Sequence, residues 1–158
     1  DNAYSWGPIL EVAKLFAGIF ITIIPAIAIL RAGSQGALAP LVALVTDGSG
    51  QPLNAMYFWL SGALSSFLDN APTYLVFFNL AGGDPRILMT TLYQTLLAIS
   101  VGSVFMGANT YIGNAPNFMI KAIAEERGIR MPSFFGYALK ACAILVPILV
   151  IHWLLFIK

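Results

Sequence analysis

The sequence predicts an all-α integral membrane protein, and three observations carry that reading. Hydrophobic residues make up 59% of the chain and charged residues 9%, against about 25% charged in ordinary soluble domains. Residues 8–30, 87–106 and 134–157 are apolar for long enough to cross a hydrocarbon core, which takes about 20 helical residues. A further apolar stretch, residues 54–83, is free of charge except at Asp69, where the run from Ser65 to Tyr74 places an acid beside Asn70, Ala71 and Pro72. A carboxylate at membrane depth costs about 2.5–3.5 kcal/mol on insertion scales and marks a substrate or ion pathway. Asp69 is the first functional candidate.

Taken in order, residues 8–30 should span, with Glu11 and Lys14 three apart on one face near the start, placed to pair and reach the interface. Pro25 removes a backbone donor, and the neighbouring Thr22 hydroxyl is expected to help the carbonyls it frees. Residues 37–45 are apolar but too short to cross, so they are placed along the interface. Asp47-Gly48-Ser49-Gly50 then has turn chemistry, without the acidic spacing of a calcium loop.

Residues 54–68 and 71–81 are each shorter than a span and meet at the Asp69-Asn70 break. Together they form either one broken transmembrane helix or a re-entrant hairpin whose tip reaches mid-membrane. A second interruption follows residues 87–106, running from Gly107 through Gly113 to Asn117, before the chain continues apolar to residue 124. Lys121, Arg127 and Arg130 make residues 121–130 the most basic window, expected on the cytoplasmic side. With three crossings and a re-entrant hairpin, the N-terminal end is then cytoplasmic and the C-terminal end outside. The last span, 134–157, carries Lys140 near its start and His152 near its end, both placed as interfacial residues.

Both interruptions contain Asn-Ala-Pro, at 70–72 and 114–116. Asn is a favoured helix cap and Pro suits the first turn, so Asn70 and Asn114 are expected to restart a helix, with Gly107, Gly113, Pro72 and Pro116 marking the breaks. Interrupted helices expose carbonyls at one end and amides at the other, the means by which secondary transporters build midplane sites. Asp69, Asn70 and Thr73 at one break, and Asn109, Thr110, Asn114 and Asn117 at the other, supply oxygens suited to a hard cation. Sodium or a proton is the expected coupling ion. The bland alternative is that these residues only cap turns and satisfy buried backbone.

At these residues the chain resembles the ion transporter superfamily, in the branch of NhaD-type sodium:proton antiporters and citrate transporters. The resemblance rests on the stretch from Ser65 to Thr73, on Gly107 to Asn117, and on Ala122 to Pro132. It implies one inverted repeat of a secondary transporter: a re-entrant hairpin over 54–81 and a broken span over 87–124, whose tips meet at the ion and substrate site. It also implies ion-contacting roles for Asp69, Asn70, Thr73, Asn109, Thr110, Asn114 and Asn117. The first repeat lies outside these residues. The chain, which begins at Asp1 without Met, is therefore expected to be the C-terminal half of a longer transporter that does not transport alone.

The functional expectation is secondary transport, with sodium:proton antiport first because a buried carboxylate can hold either a cation or a proton. Coupled transport of citrate or another organic anion is the alternative, and a non-transporting membrane scaffold is the reading of another class. No enzyme is expected: aspartyl-protease chemistry needs two carboxylates sharing a site, and only Asp69 lies deep in an apolar stretch. There is no phosphate-binding glycine loop. Lone Cys142 offers neither a disulfide nor metal-ligand spacing, so no cofactor, resident metal or catalytic residue is expected. The near-neutral net charge of +1 gives no case for nucleic acid. Expected partners are the lipid bilayer, the N-terminal repeat of the same transporter and, as an option, a second copy in a homodimer. The expected location is a bacterial inner membrane, crossed several times.

Overall fold

The computed structural model describes residues 6–32, 35–37 and 39–157. Among them the fold is helical, with a single isolated bridge between Thr46 and Pro52 and no strand. In chain order the helices are α1 Gly7–Arg31, α2 Ala39–Val45, α3 Asn54–Ser65, α4 Asn70–Leu80, α5 Pro85–Met89, α6 Tyr93–Met106, α7 Ala115–Glu126 and α8 Phe134–Phe156; a 3₁₀ turn over Gly107–Asn109 follows α6.

Two stretches are long and apolar enough to cross a membrane, Ile9–Ile29 in α1 and Phe134–Phe156 in α8. Both wear their large apolar side chains outward: Ile21, Ile24, Phe135, Leu139 and Leu155 are exposed. A helix that is hydrophobic all round suits lipid rather than water. Each contains a proline, Pro25 and Pro147. The Thr22 hydroxyl, expected to assist near Pro25, donates instead to the carbonyls of Gly18 and Ile19. A helix threonine reaches only one turn back, and that places it before the carbonyls that Pro25 frees.

The centre is α3 against α6. The two run parallel: Thr95 donates to the Asn54 side chain at 2.7 Å near their starts, Gly102 lies on Phe58 and Ser61, and Ser65 reaches Ser103 near their ends. Glycine is required at 102, because a Cβ there would collide with the Phe58 carbonyl and the Ser61 hydroxyl. α4 folds back along α3, so that Tyr57 near the start of one meets Phe77 near the end of the other, ring centroids 6.2 Å apart. Phe58, Ala98, Ile99 and Met106 complete this core, and α8 docks on it through Leu149, Ile157 and the Trp153 ring, which lies 6.1 Å from Trp59. α1 packs on α4 and α7.

One expected element is corrected. Residues 87–106 do not form one helix: Asp84 caps α5, which ends after five residues, and α6 starts only at Tyr93. The Asp84 carboxylate accepts from the Arg86 and Ile87 amides, and Pro85 follows it in the first turn, a start signal strong enough to set a short helix of its own. At 14 residues, α6 alone is too short to cross. The expected interfacial segment 37–45 is helical from Ala39; Leu38 lies outside the described residues.

Candidate functional site

The turn between α3 and α4, residues 66–69, meets the break between α6 and α7, residues 107–114. Both ends are short of backbone partners, since the last carbonyls of one helix and the first amides of the next have none within their own helix. Side chains supply them across the gap. The Ser65 hydroxyl donates to the Ser103 carbonyl at 2.5 Å, and the Ser66 hydroxyl lies 2.9 Å from the Met106 carbonyl and 3.0 Å from that of Gly62. The Asn109 amide donates to the Ser66 hydroxyl at 3.1 Å, while the Thr110 hydroxyl donates to the Ser66 carbonyl at 2.6 Å and accepts from the Gly113 amide at 3.0 Å. Ser66 is the hub of the junction.

Asp69 ties the two restarted helices together. One carboxylate oxygen accepts from the Ala71 amide of α4 at 3.0 Å, the other from the Ala115 amide of α7 at 2.9 Å. A carboxylate at two helix N-termini is favoured by both dipoles as well as by the hydrogen bonds. The side chain is 5% exposed. Here a second expectation is corrected: Asp69, not Asn70, caps α4, and Asn70 is that helix's first residue. A carboxyl group one residue earlier has two acceptor oxygens, so it can cap α4 and reach α7 as well. At the other break Asn114 does cap α7, its side-chain oxygen accepting from the Asn117 amide at 3.1 Å.

Of the seven residues read as ion-contacting, Asp69, Thr73, Asn109 and Thr110 are buried at this junction. Thr73 donates to the Asp69 carbonyl at 3.0 Å. Asn70, Asn114 and Asn117 are only half-buried; the Asn114 oxygen is occupied by its cap, and no side-chain hydrogen bond is formed by Asn70 or Asn117 among the described residues. Two buried oxygens lack any partner, Asn109 Oδ1 and Ser103 Oγ. Buried polar oxygens are rarely left so.

The first turn of α7 has no amide left to offer. Ala115 donates to Asp69, Pro116 has no N–H, Asn117 donates to the Asn114 side chain and Phe118 to the Asn114 carbonyl. An anion docking on that helix N-terminus would have to displace a bond already made. What the junction still offers is the side-chain amides of Asn70 and Asn117 and the unpartnered oxygens of Asn109 and Ser103.

Serines 65, 66 and 103, Ala115 and Glu11 are contributors that sequence reasoning did not assign. The Ser65-Ser66 pair one turn before an intramembrane Asp was the available signal. Glu11, read as the partner of Lys14, forms no ion pair in the structure; it lines a cavity of about 450 Å3 together with Asp69. Glu11 itself stays exposed, at the edge of that cavity. His152 is half-buried between the rings of Phe105 and Phe156, at 6.2 and 4.8 Å. Lys121 pairs with Glu125 at 2.6 Å and stands 5.0 Å from the Tyr111 ring centre.

A family model described as "Putative citrate transport" matches residues 1–157. The chain belongs to that family. No curated protein and no solved structure matches it. As a citrate-transport family member with two helices apolar enough to cross a bilayer, it is a membrane transport protein. That role is not enzymatic.

Proposed function

We propose that this chain is the ion-handling half of a sodium- or proton-coupled carrier of citrate or a related carboxylate anion, with the coupling cation held where residues 66–69 meet residues 107–114. The observation that carries this reading is the position of Asp69. It lines cavities with Ile19, midway along α1, so a bilayer centred on that helix puts the carboxylate near its midplane. α3 and α4, of 12 and 11 residues, are each about 17 Å long. That is roughly half of a 30 Å hydrocarbon core, as a re-entrant hairpin requires. Family membership supports the citrate cargo, which fits better than the antiport expected first.

The cation's ligands would be drawn from Asp69, whose carboxylate has about four lone-pair sites with one amide on each oxygen, and from Asn109 Oδ1, which has no partner. Thr73 and Thr110 back these groups. Because the first-turn amides of α7 are engaged, the anion's carboxylates would be met by other donors, such as the side-chain amides of Asn70 and Asn117 or groups of the N-terminal repeat of the same transporter.

The engagement of those α7 amides favours a second reading, sodium:proton antiport, in which a cation is the only cargo. Labelled citrate uptake by the full-length protein in vesicles, driven by a sodium or a proton gradient, decides between them. Uptake under one gradient, lost in Asp69→Asn, supports the citrate carrier. Sodium-driven proton movement that ignores citrate supports the antiporter. Neither flux from well-inserted protein would overturn both.

A further inference from the structure

Two cavities touch Asp69, and they extend in opposite directions along α1. The wider, about 450 Å3, is bounded by Glu11, Val12 and Phe118; the narrower, about 240 Å3, by Thr22, Thr73 and Val76. Ile19, Leu68 and Asp69 line both. Glu11 lies eight positions before Ile19, about 12 Å along the helix, and Thr22 lies three positions beyond it. Ile19, Leu68 and Asp69 are thus the wall shared by a chamber toward one end of α1 and a chamber toward the other, with Leu68 half exposed.

The charges in these chambers are one-sided. Glu11 and Asp69 are the ionisable groups of the wider chamber, and Asp69 is that of the narrower one; the other walls are almost wholly apolar. Acids in a low-dielectric cleft concentrate cations and repel anions. Glu11 has no ion-pair partner among the described residues to neutralise it. It is placed to meet a cation before Asp69 does.

We propose that the coupling cation travels along α1 through these two chambers, with Glu11 as the acid of the wider one and with Ile19 and Leu68 as the constriction between them beside Asp69. The proposal rests on the reading of Asp69 as the cation's holder. It adds a route, a second acid and an apolar barrier, and it predicts that the chambers open to opposite sides of the membrane.

The test is thiol labelling of the full-length protein in oriented vesicles, in a cysteine-free background that includes Cys142→Ser. Glu11→Cys and Val12→Cys should react with a membrane-impermeant thiol reagent from one side, and Thr22→Cys and Val76→Cys from the other. Two positions per chamber keep the test open if one variant inserts poorly. Adding Leu68→Ala should let each chamber label from both sides. Labelling of all four positions from one side, or of none, would overturn the two-chamber route, as would a Leu68→Ala variant that leaves sidedness unchanged. In flux assays Glu11→Gln should raise the half-saturating sodium or proton concentration about tenfold, the scale of one partly screened charge, with Glu11→Asp restoring it. An unchanged value removes Glu11 from the route. Labelling needs no transport, so a protein that carries neither citrate nor sodium defeats the proposed function while the labels still decide the geometry.

Discussion

The two Asn-Ala-Pro breaks look alike and do different work. At residues 114–116 the Asn is the cap, its side-chain oxygen is occupied within its own helix, and the motif does no more than restart α7. At residues 70–72 the cap has moved one position earlier, to Asp69, and its second oxygen crosses to the other break. A neutral cap closes one helix. A carboxyl cap, with two acceptor oxygens, can close two and still line a cavity. The difference between the breaks is therefore one of charge and reach, not of backbone plan.

The sharpest way to break this comparison is at Asp69. Asp69→Ala strips acceptors from two buried helix-start amides, each worth about 1–3 kcal/mol when left unpaired, so it should lower the thermal midpoint in detergent markedly and abolish transport. Asp69→Asn keeps an acceptor oxygen but loses the charge. It should abolish transport with a clearly smaller loss of midpoint; an equal loss would mean that the carboxylate is only a tie between helices.

Gly113 comes next. A Cβ there would stand 2.5 Å from both the Gly107 and the Ser65 carbonyl oxygens, so Gly113→Ala should force the two breaks apart at a cost of about 1–3 kcal/mol. A normal midpoint for that variant would show that the junction is looser than its packing indicates. Smaller still is the contrast between the two asparagines. Asn114→Ala should cost about 1 kcal/mol as a lost cap, and Asn70→Ala less than about 0.5 kcal/mol, both read from unfolding midpoints. Reversal of that order would return the α4 cap to Asn70.

The mildest test uses an acid that caps without any site around it. Asp47, in the exposed loop, accepts hydrogen bonds from the Ser49 hydroxyl and from the Gln51 and Ser49 amides, which hold its carboxyl below the usual value of 3.8. Because the folded state favours the ionised form, the loop's ordering is complete above the ordinary carboxylate range and is lost as pH falls through the lowered value. Exchange of the Ser49 and Gln51 amides should quicken only in that acid window. Asp47→Asn should leave transport unchanged, unlike Asp69→Asn.

Much of this architecture was legible in the sequence because membrane helices are set by length and apolarity. Residues 8–30 and 134–157 announce α1 and α8, and a lone acid beside Asn-x-Pro announces a break. The split between α5 and α6 was hidden because residues 87–106 carry no charge and no proline, although Asp84 followed by Pro85 is a readable start. The Asp69–Ala115 bond joins residues 46 positions apart, and nothing local encodes it. Ser66 was overlooked because serine caps and turns are common, whereas its importance comes from three groups that arrive from elsewhere. Glu11 beside Lys14 reads as a surface pair, and spacing alone does not show that Glu11 lines a cavity with Asp69 instead.

The parallel course of α3 and α6 has a consequence for biogenesis. When the 66–69 turn emerges during synthesis, its partners at Ser103, Met106, Thr110 and Ala115 do not yet exist; they lie 38 to 46 residues downstream. At about 5–20 residues per second, that gap lasts roughly 2–9 s. Through this interval the nascent hairpin carries the Asp69 carboxyl and serines still without their later partners, polar groups that hydrocarbon disfavours. On the proposed re-entrant placement, the α3–α4 pair would wait at the membrane surface or beside the insertion machinery until α6 and the start of α7 arrive to complete its bonds. Its insertion would then follow the order in which its polar groups find partners, not the order of the sequence.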